Sequence, residues 1–378
     1  MSYRGTRIDG LIAEGNGRLV AADGMGLSPD RFTVPIATEE LMRQLAGELG
    51  LPHGDPEVTR QVGQRYLPVS MSHGVPRQAA RSAGLVARDA AHHPRGHHHQ
   101  VNAGTRIVAH LTEYPSWIAA QFSAAALLGI TDFADGADSA VLNNNRLRIS
   151  RGVRQPTQRQ YRGRWTPWTL RLGEQELKVT PPMLTLAHCL RAVLDGEHAW
   201  ETPADLGHPP HTVRAVQLID RYRREFGLDE EQVLEALHGL VNQRRLENLL
   251  QLSDPGADSP PETILRLAAD RATKDLGIDW QAQVPVYRNG RVGAPGSRDP
   301  GQTLFTVIDL AAPSRRLALY YDGEHHLERG QRDQDSLITA QLAAWGWRSL
   351  RVTAGMLRDV RQLNFFISSL VFPQSRSA

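Results

Sequence analysis

The 378-residue chain has a single cysteine, Cys189. One thiol excludes a disulfide framework and a cysteine-rich zinc domain, and it suits a reducing, cytoplasmic setting. Lysine is almost as scarce: Lys178 and Lys274 stand against 41 arginines. A catalytic lysine would have few places to come from. Nor is charge of one sign in excess, since 43 basic residues face 41 acidic ones for a net charge of +2. That excludes a polycation coating nucleic acid by bulk charge, so any basic surface must be local. No apolar run reaches the roughly 18 residues of a membrane span. The opening MSYRGTRIDG lacks an apolar signal core, so neither a membrane partner nor a secretory signal is expected. What is present, 40% hydrophobic residues over this length, is enough for two to three packed domains.

Three regions differ in character. Residues 1–100 are polar with short helical patterns, over 38–50 with Thr38 as N-cap, over 57–67 and over 75–88. Three such helices, the last carrying Arg77 and Arg81, fit either a helix-turn-helix or a plain helical bundle. Residues 101–252 mix an apolar helix over 117–130, strand-like alternation over 143–172, and helices over 181–194, 213–227 and 231–252. SDPGADSPP at 253–261 reads as a linker. Residues 262–378 then follow the order α-β-β-β-α-β-α of a small α/β domain.

This last region carries the strongest chemical signal. Asp309 ends one strand; Asp322 and Glu324 sit just past the end of the next; Glu262 opens the preceding helix. Strands about 4.8 Å apart let such carboxylates converge. Converging carboxylates call for a cation, and Mg²⁺ prefers hard oxygen ligands. Such an ion activates water and stabilises charge on an attacked phosphate. Each residue also has a plainer reading. Glu262 suits a capping box with Ser259, with Pro260 at N1. Asp322–Gly323 is a common turn pair. His326 is placed either for a phosphate contact or for proton transfer, with His325 equally placed beside it. Arg266 and Arg351 suit a bidentate phosphate contact or solvent.

Residues 259–360 resemble the very-short-patch-repair-endonuclease-like group of the PD-(D/E)XK nuclease superfamily. The resemblance rests on Ser259, Glu262 and Arg266, on Gln283–Val286, on Asp309, and on Tyr321, Asp322, Gly323 and His326. It continues through Asp335 to Gly346, Trp347, Arg351, Val352 and Thr353. It implies a restriction-endonuclease-like fold and a metal-dependent DNA endonuclease active in DNA repair or phage defence. In that reading Asp309 and Asp322 hold Mg²⁺ or Mn²⁺, and Glu324, Glu262 and His326 complete the catalytic set. Two positions depart from the pattern: Tyr320 stands where the group has Glu, and Leu337 where an Arg is expected.

Between positions 146 and 171 there are eight arginines and no acid. Arg146, Arg148, Arg151, Arg154, Arg159, Arg162 and Arg164, with Trp165, Tyr161 and Trp168 interleaved, form a candidate nucleic-acid surface, to which Arg351 would add. The alternative is solvated arginines on exposed strand faces with Trp in the core. FSAAALLGI (122–130) and KVTPPMLTLAHCLR (178–191) are similar to abortive-infection-type antitoxin and regulator proteins. That similarity implies a winged-helix DNA-binding module before the nuclease-like domain, a degenerate nuclease fold in a transcriptional regulator, and a toxin or defence-system partner. The wing would be sought near 95–101. The histidines within 92–99 suggest either a transition-metal site or a solvated wing loop; contiguous histidines cannot all face one ion. The expected fold is thus multidomain α+β: a helical, winged-helix-like region, a mixed α/β middle and a restriction-endonuclease-like α/β domain.

Overall fold

A computed structural model describes residues 3–14, 22–144, 148, 152–323 and 329–372, with Pro29 and 329–333 described by backbone alone. They form two units, Met1–Glu201 with Glu225–Leu246, and Thr202–Arg224 with Glu247–Ala378. The architecture is mixed α+β, as the patterning predicts. No described helix is long and apolar enough to cross a membrane.

The first unit begins with α1 (Thr6–Ala13), β1 (Ile36–Ala37), α2 (Thr38–Leu49), α3 (Pro56–Arg65), β2 (Tyr66–Pro68) and β3 (His73–Pro76). Leu45 and Ala46 of α2 pack on Val58 of α3. Thr38 is already helical, so Ala37 takes the cap position assigned to it. Gly50 ends α2 at φ +65°, where a side chain would be strained. Asp55 starts α3 by accepting the N–H of Glu57 at 2.8 Å, and Pro56 fills N1. The three strands pair antiparallel in the order β1-β3-β2. The expected helix over 75–88 is therefore corrected. Val75 is buried in strand pairing, Arg77–Ala79 make one 3₁₀ turn, and α4 (Ala83–His92) starts behind its own cap, Ser82.

Next come α5 (Ala103–Glu113), β4 (Ile118–Ala119), α6 (Gln121–Leu128), β5 (Ala140–Asn143), β6 (Thr157–Gln160), β7 (Trp168–Leu172), β8 (Gln175–Val179) and α7 (Pro182–Leu194). Their sheet runs β6-β5-β4-β8-β7. The apolar run 117–130 opens as strand and turns into helix at Gln121, whose φ is +51°. α6 is buried from Phe122 to Leu128, as a helix apolar on every side must be. Then follow α8 (Pro210–Phe226), which belongs to the second unit through Arg224, α9 (Glu230–Leu237) in the first, and α10 (Gln243–Leu250), which passes from the first into the second. The last two were expected as one helix; Gly239, at φ +74°, lies in the break.

The second unit adds α11 (Pro260–Ala272), β9 (Gln281–Tyr287), β10 (Leu304–Ala312), β11 (Leu317–Asp322), α12 (Arg329–Ala344), β12 (Arg348–Thr353), α13 (Ala354–Arg358) and α14 (Val360–Val371). The sheet order is β12-β11-β10-β9: an antiparallel meander, then β12 parallel to β11. Such a parallel pair needs the long crossover that α12 supplies. Leu310, Leu319 and Val352 pack with Leu265 of α11 and with Leu363 and Ile367 of α14. Val284, Ile308, Ala318 and Tyr320 pack with Leu342 of α12. Arg266 is neither solvated nor free for phosphate. It is buried and pairs with buried Asp220 at 2.9 Å, and the same Asp220 oxygen accepts the Thr263 hydroxyl.

Candidate functional site

The fold gathers four of the sequence-predicted residues in the second unit. Asp309 Oδ2 accepts the N–H of Tyr321 on the neighbouring strand at 2.8 Å. Glu262 accepts the Ser259 hydroxyl at 2.8 Å, the Asp258 N–H at 2.9 Å and the Gln283 amide at 3.0 Å. It thus organises the start of α11, though Ser259 donates to it instead of capping the helix. Gln283 is a non-glycine residue at φ +54° within β9, the kind of local strain that clusters at functional positions. Arg351 reaches Asp322 at 2.7 Å and Asp335 at 2.9 Å, and its guanidinium lies over the Tyr320 ring, 5.2 Å from the centroid.

The electrostatics follow from this crowding. Burial, with Glu262 and Asp322 adding repulsion, pushes the Asp309 carboxyl up to about 7. Burial likewise raises Glu262. Because the folded pKa of Asp309 lies above its unfolded value, the fold holds this proton longer than the unfolded chain does. Stability from this group is therefore intact below about pH 4 and falls as pH rises towards 7. Asp309→Asn is expected to match wild type at pH 4 and to exceed it by roughly 2–4 kcal/mol at pH 8. Urea unfolding at the two pH values checks this; equal stability at pH 8 contradicts it.

Among the described residues, the carboxylates around Asp309 already have partners. Arg351 already neutralises Asp322, Glu262 is committed to three donors, and Tyr320, with its OH 3.4 Å from Thr306, stands where the resemblance calls for Glu. Asp309 and Asp322 gather no third histidine, cysteine or carboxylate ligand among the described residues. Leu337 is exposed on α12. Glu324 and His326 lie outside the described residues.

In the first unit, a groove of about 400 Å³ is lined by Arg4, Arg159, Arg162, Arg164, Arg191 and Trp165, among others. Trp165 is half-buried and meets Tyr161 edge to face at 5.0 Å, while Trp168 is buried in the core. Arg159 is held by Glu197. Arg148 and Arg154 are exposed elsewhere; Arg146 and Arg151 lie outside the described residues. Arg81 pairs with Asp89 and Asp135, so it is not free for DNA.

A third constellation was underrated in the sequence. His93, His97 and His99 turn inward with Asp138, and their ligand-type atoms all lie within 4.8 Å of one another. This arrangement can hold a metal ion, and it replaces the solvated wing loop expected there. The missed signal is the spacing 93, 97, 99, which skips contiguous neighbours; Asp138 carries no local signal at all. No family model, curated protein or solved structure matches the chain.

Proposed function

We propose that the protein is a DNA-binding protein of the regulator type, whose second unit keeps a nuclease-like acidic centre without cutting. The observation that carries this reading is the order β1-α2-α3-β2-β3 with sheet order β1-β3-β2. It is a pair of helices followed by a hairpin, as in a winged helix. The second helix of such a pair enters the major groove. On α3, Thr59, Arg60, Gln64 and Arg65 are exposed, and Met71 is exposed at the hairpin turn. Arg60 and Arg65 pair with the surface acids Glu57 and Glu48, partners that phosphates readily displace. The arginine groove with Trp165 suits further backbone contact and base stacking.

The test is fluorescence anisotropy on duplex DNA over a salt series. Wild type is expected to bind with a steep salt dependence. Arg60→Ala with Arg65→Ala is expected to weaken binding and flatten the log–log slope by about 2. An unchanged slope removes α3 from the interface. The second reading, a metal-dependent endonuclease, is favoured by one feature: the strongly raised carboxyl of Asp309, a group that pays in stability for its position. Metal-dependent cutting lost in Asp309→Ala would establish it.

A further inference from the structure

The structure assigns a second, independent site: we infer that His97, His99 and Asp138 bind one divalent transition-metal ion of the zinc class, and that His93 orients Asp138 from behind. The site does not depend on the DNA-binding reading.

The geometry divides the two oxygens of Asp138 between two tasks. Oδ1 lies 2.8 Å from His97 Nδ1 and 3.1 Å from His99 Nε2. Bonds of about 2.0–2.1 Å to a tetrahedral ion place neighbouring ligand atoms about 3.3 Å apart. The two oxygen–nitrogen distances need to open by only a few tenths of an ångström to admit the ion, and all the ligand-type atoms lie within 4.8 Å of one another. Oδ2 faces the other way, to His93 Nε2 at 3.3 Å and to the guanidinium of Arg95.

The ring of His93 is fixed by its surroundings. Its Nδ1 accepts the backbone N–H of Arg95 at 3.1 Å and of His97 at 3.3 Å. The proton of neutral His93 therefore sits on Nε2, facing Asp138. Nε2 is buried with no satisfied hydrogen bond, so it is held ready for the carboxylate. This is the outer-shell arrangement that sets the orientation and basicity of a ligating carboxylate. The His97 ring stacks on His93, with centroids 4.7 Å apart, which holds the first ligand in place.

The donor set selects the ion. Two imidazoles and a carboxylate suit zinc, cobalt or nickel and are poor ligands for magnesium or calcium. The site is nearly closed: the side chains of His93 and His99 are 1% exposed and that of Asp138 13%. Three protein ligands leave the fourth position of a tetrahedral ion to a water or another small ligand, in an enclosed setting. The ion would tie the loop between α4 and α5 to the segment before β5.

The test uses the full chain, purified without a polyhistidine tag, stripped with a chelator and reloaded with ZnSO₄. Elemental analysis is expected to find about one zinc per chain. His97→Gln and Asp138→Asn are expected to retain less than a tenth of that while keeping the wild-type circular dichroism. His93→Gln is expected to take up zinc with affinity reduced about 10–100-fold. Thermal unfolding of wild type, and not of Asp138→Asn, is expected to shift upward with zinc. A folded wild type that takes up no zinc overturns the proposal. So does equal uptake by folded His97→Gln and Asp138→Asn, which would put the ion elsewhere. Retention of iron in preference to zinc overturns the assignment of the ion.

Discussion

Asp220→Ala is expected to destabilise the second unit by about 3–5 kcal/mol, because it strands the buried guanidinium of Arg266. Both side chains are almost fully buried and meet at 2.9 Å. Asp220 also accepts the Thr263 hydroxyl and the Asp254 N–H, at 2.9 and 2.8 Å, so one substitution orphans three donors. Replacing both charges, Asp220→Leu with Arg266→Met, is expected to recover much of the loss, since the cost lies in the unpaired charge and not in the missing pair. Denaturant unfolding of the single and double variants checks this. Equal loss in both would contradict it.

Arg106→Met is expected to cost about 3 kcal/mol or more in the first unit. The guanidinium is fully enclosed and donates to the carbonyls of Val101, Ala137 and Asp135 and to the Ser139 hydroxyl, at 2.9 to 3.3 Å. The methionine fills much of the volume but satisfies none of these acceptors, and each orphaned buried acceptor costs about 1–3 kcal/mol. Arg106 joins the same two segments as the histidine group. Its loss should therefore also lower zinc uptake, although its hydrogen bonds go to other residues than the proposed ligands. A variant as stable as wild type would show that water replaces these bonds.

These two clusters show which parts of the molecule could be read from the chain. The strands that carry Asp309 and Asp322 were legible, although Asp309, expected at a strand end, lies inside β10 and Asp322, expected just past its strand, closes β11. Their charge partners were not. Arg351 reads as a phosphate ligand until α12 brings Asp335 beside it. Arg266 reads as solvated until Asp220, 46 residues earlier, closes over it. The histidines at 93, 97 and 99 read as a polar loop because Asp138, about 40 residues on, gives them their direction. The apolar run at 117–130 misled in the opposite sense. It is apolar enough for helix throughout, yet Ile118 pairs with Leu142 and Lys178 as strand, and tertiary pairing overrides propensity. At 75–88 a helical pattern likewise yielded to the pairing of Val75 with Leu67.

The most direct test of the DNA-binding reading is selection of bound duplexes from a randomised library at moderate salt, followed by incubation of the enriched pool with Mg²⁺ or Mn²⁺. The account predicts enrichment of a sequence motif, lost with Arg60→Ala and Arg65→Ala, and DNA recovered intact. Failure to retain any duplex, or metal-dependent cutting of the selected DNA that Asp309→Ala abolishes, would contradict it.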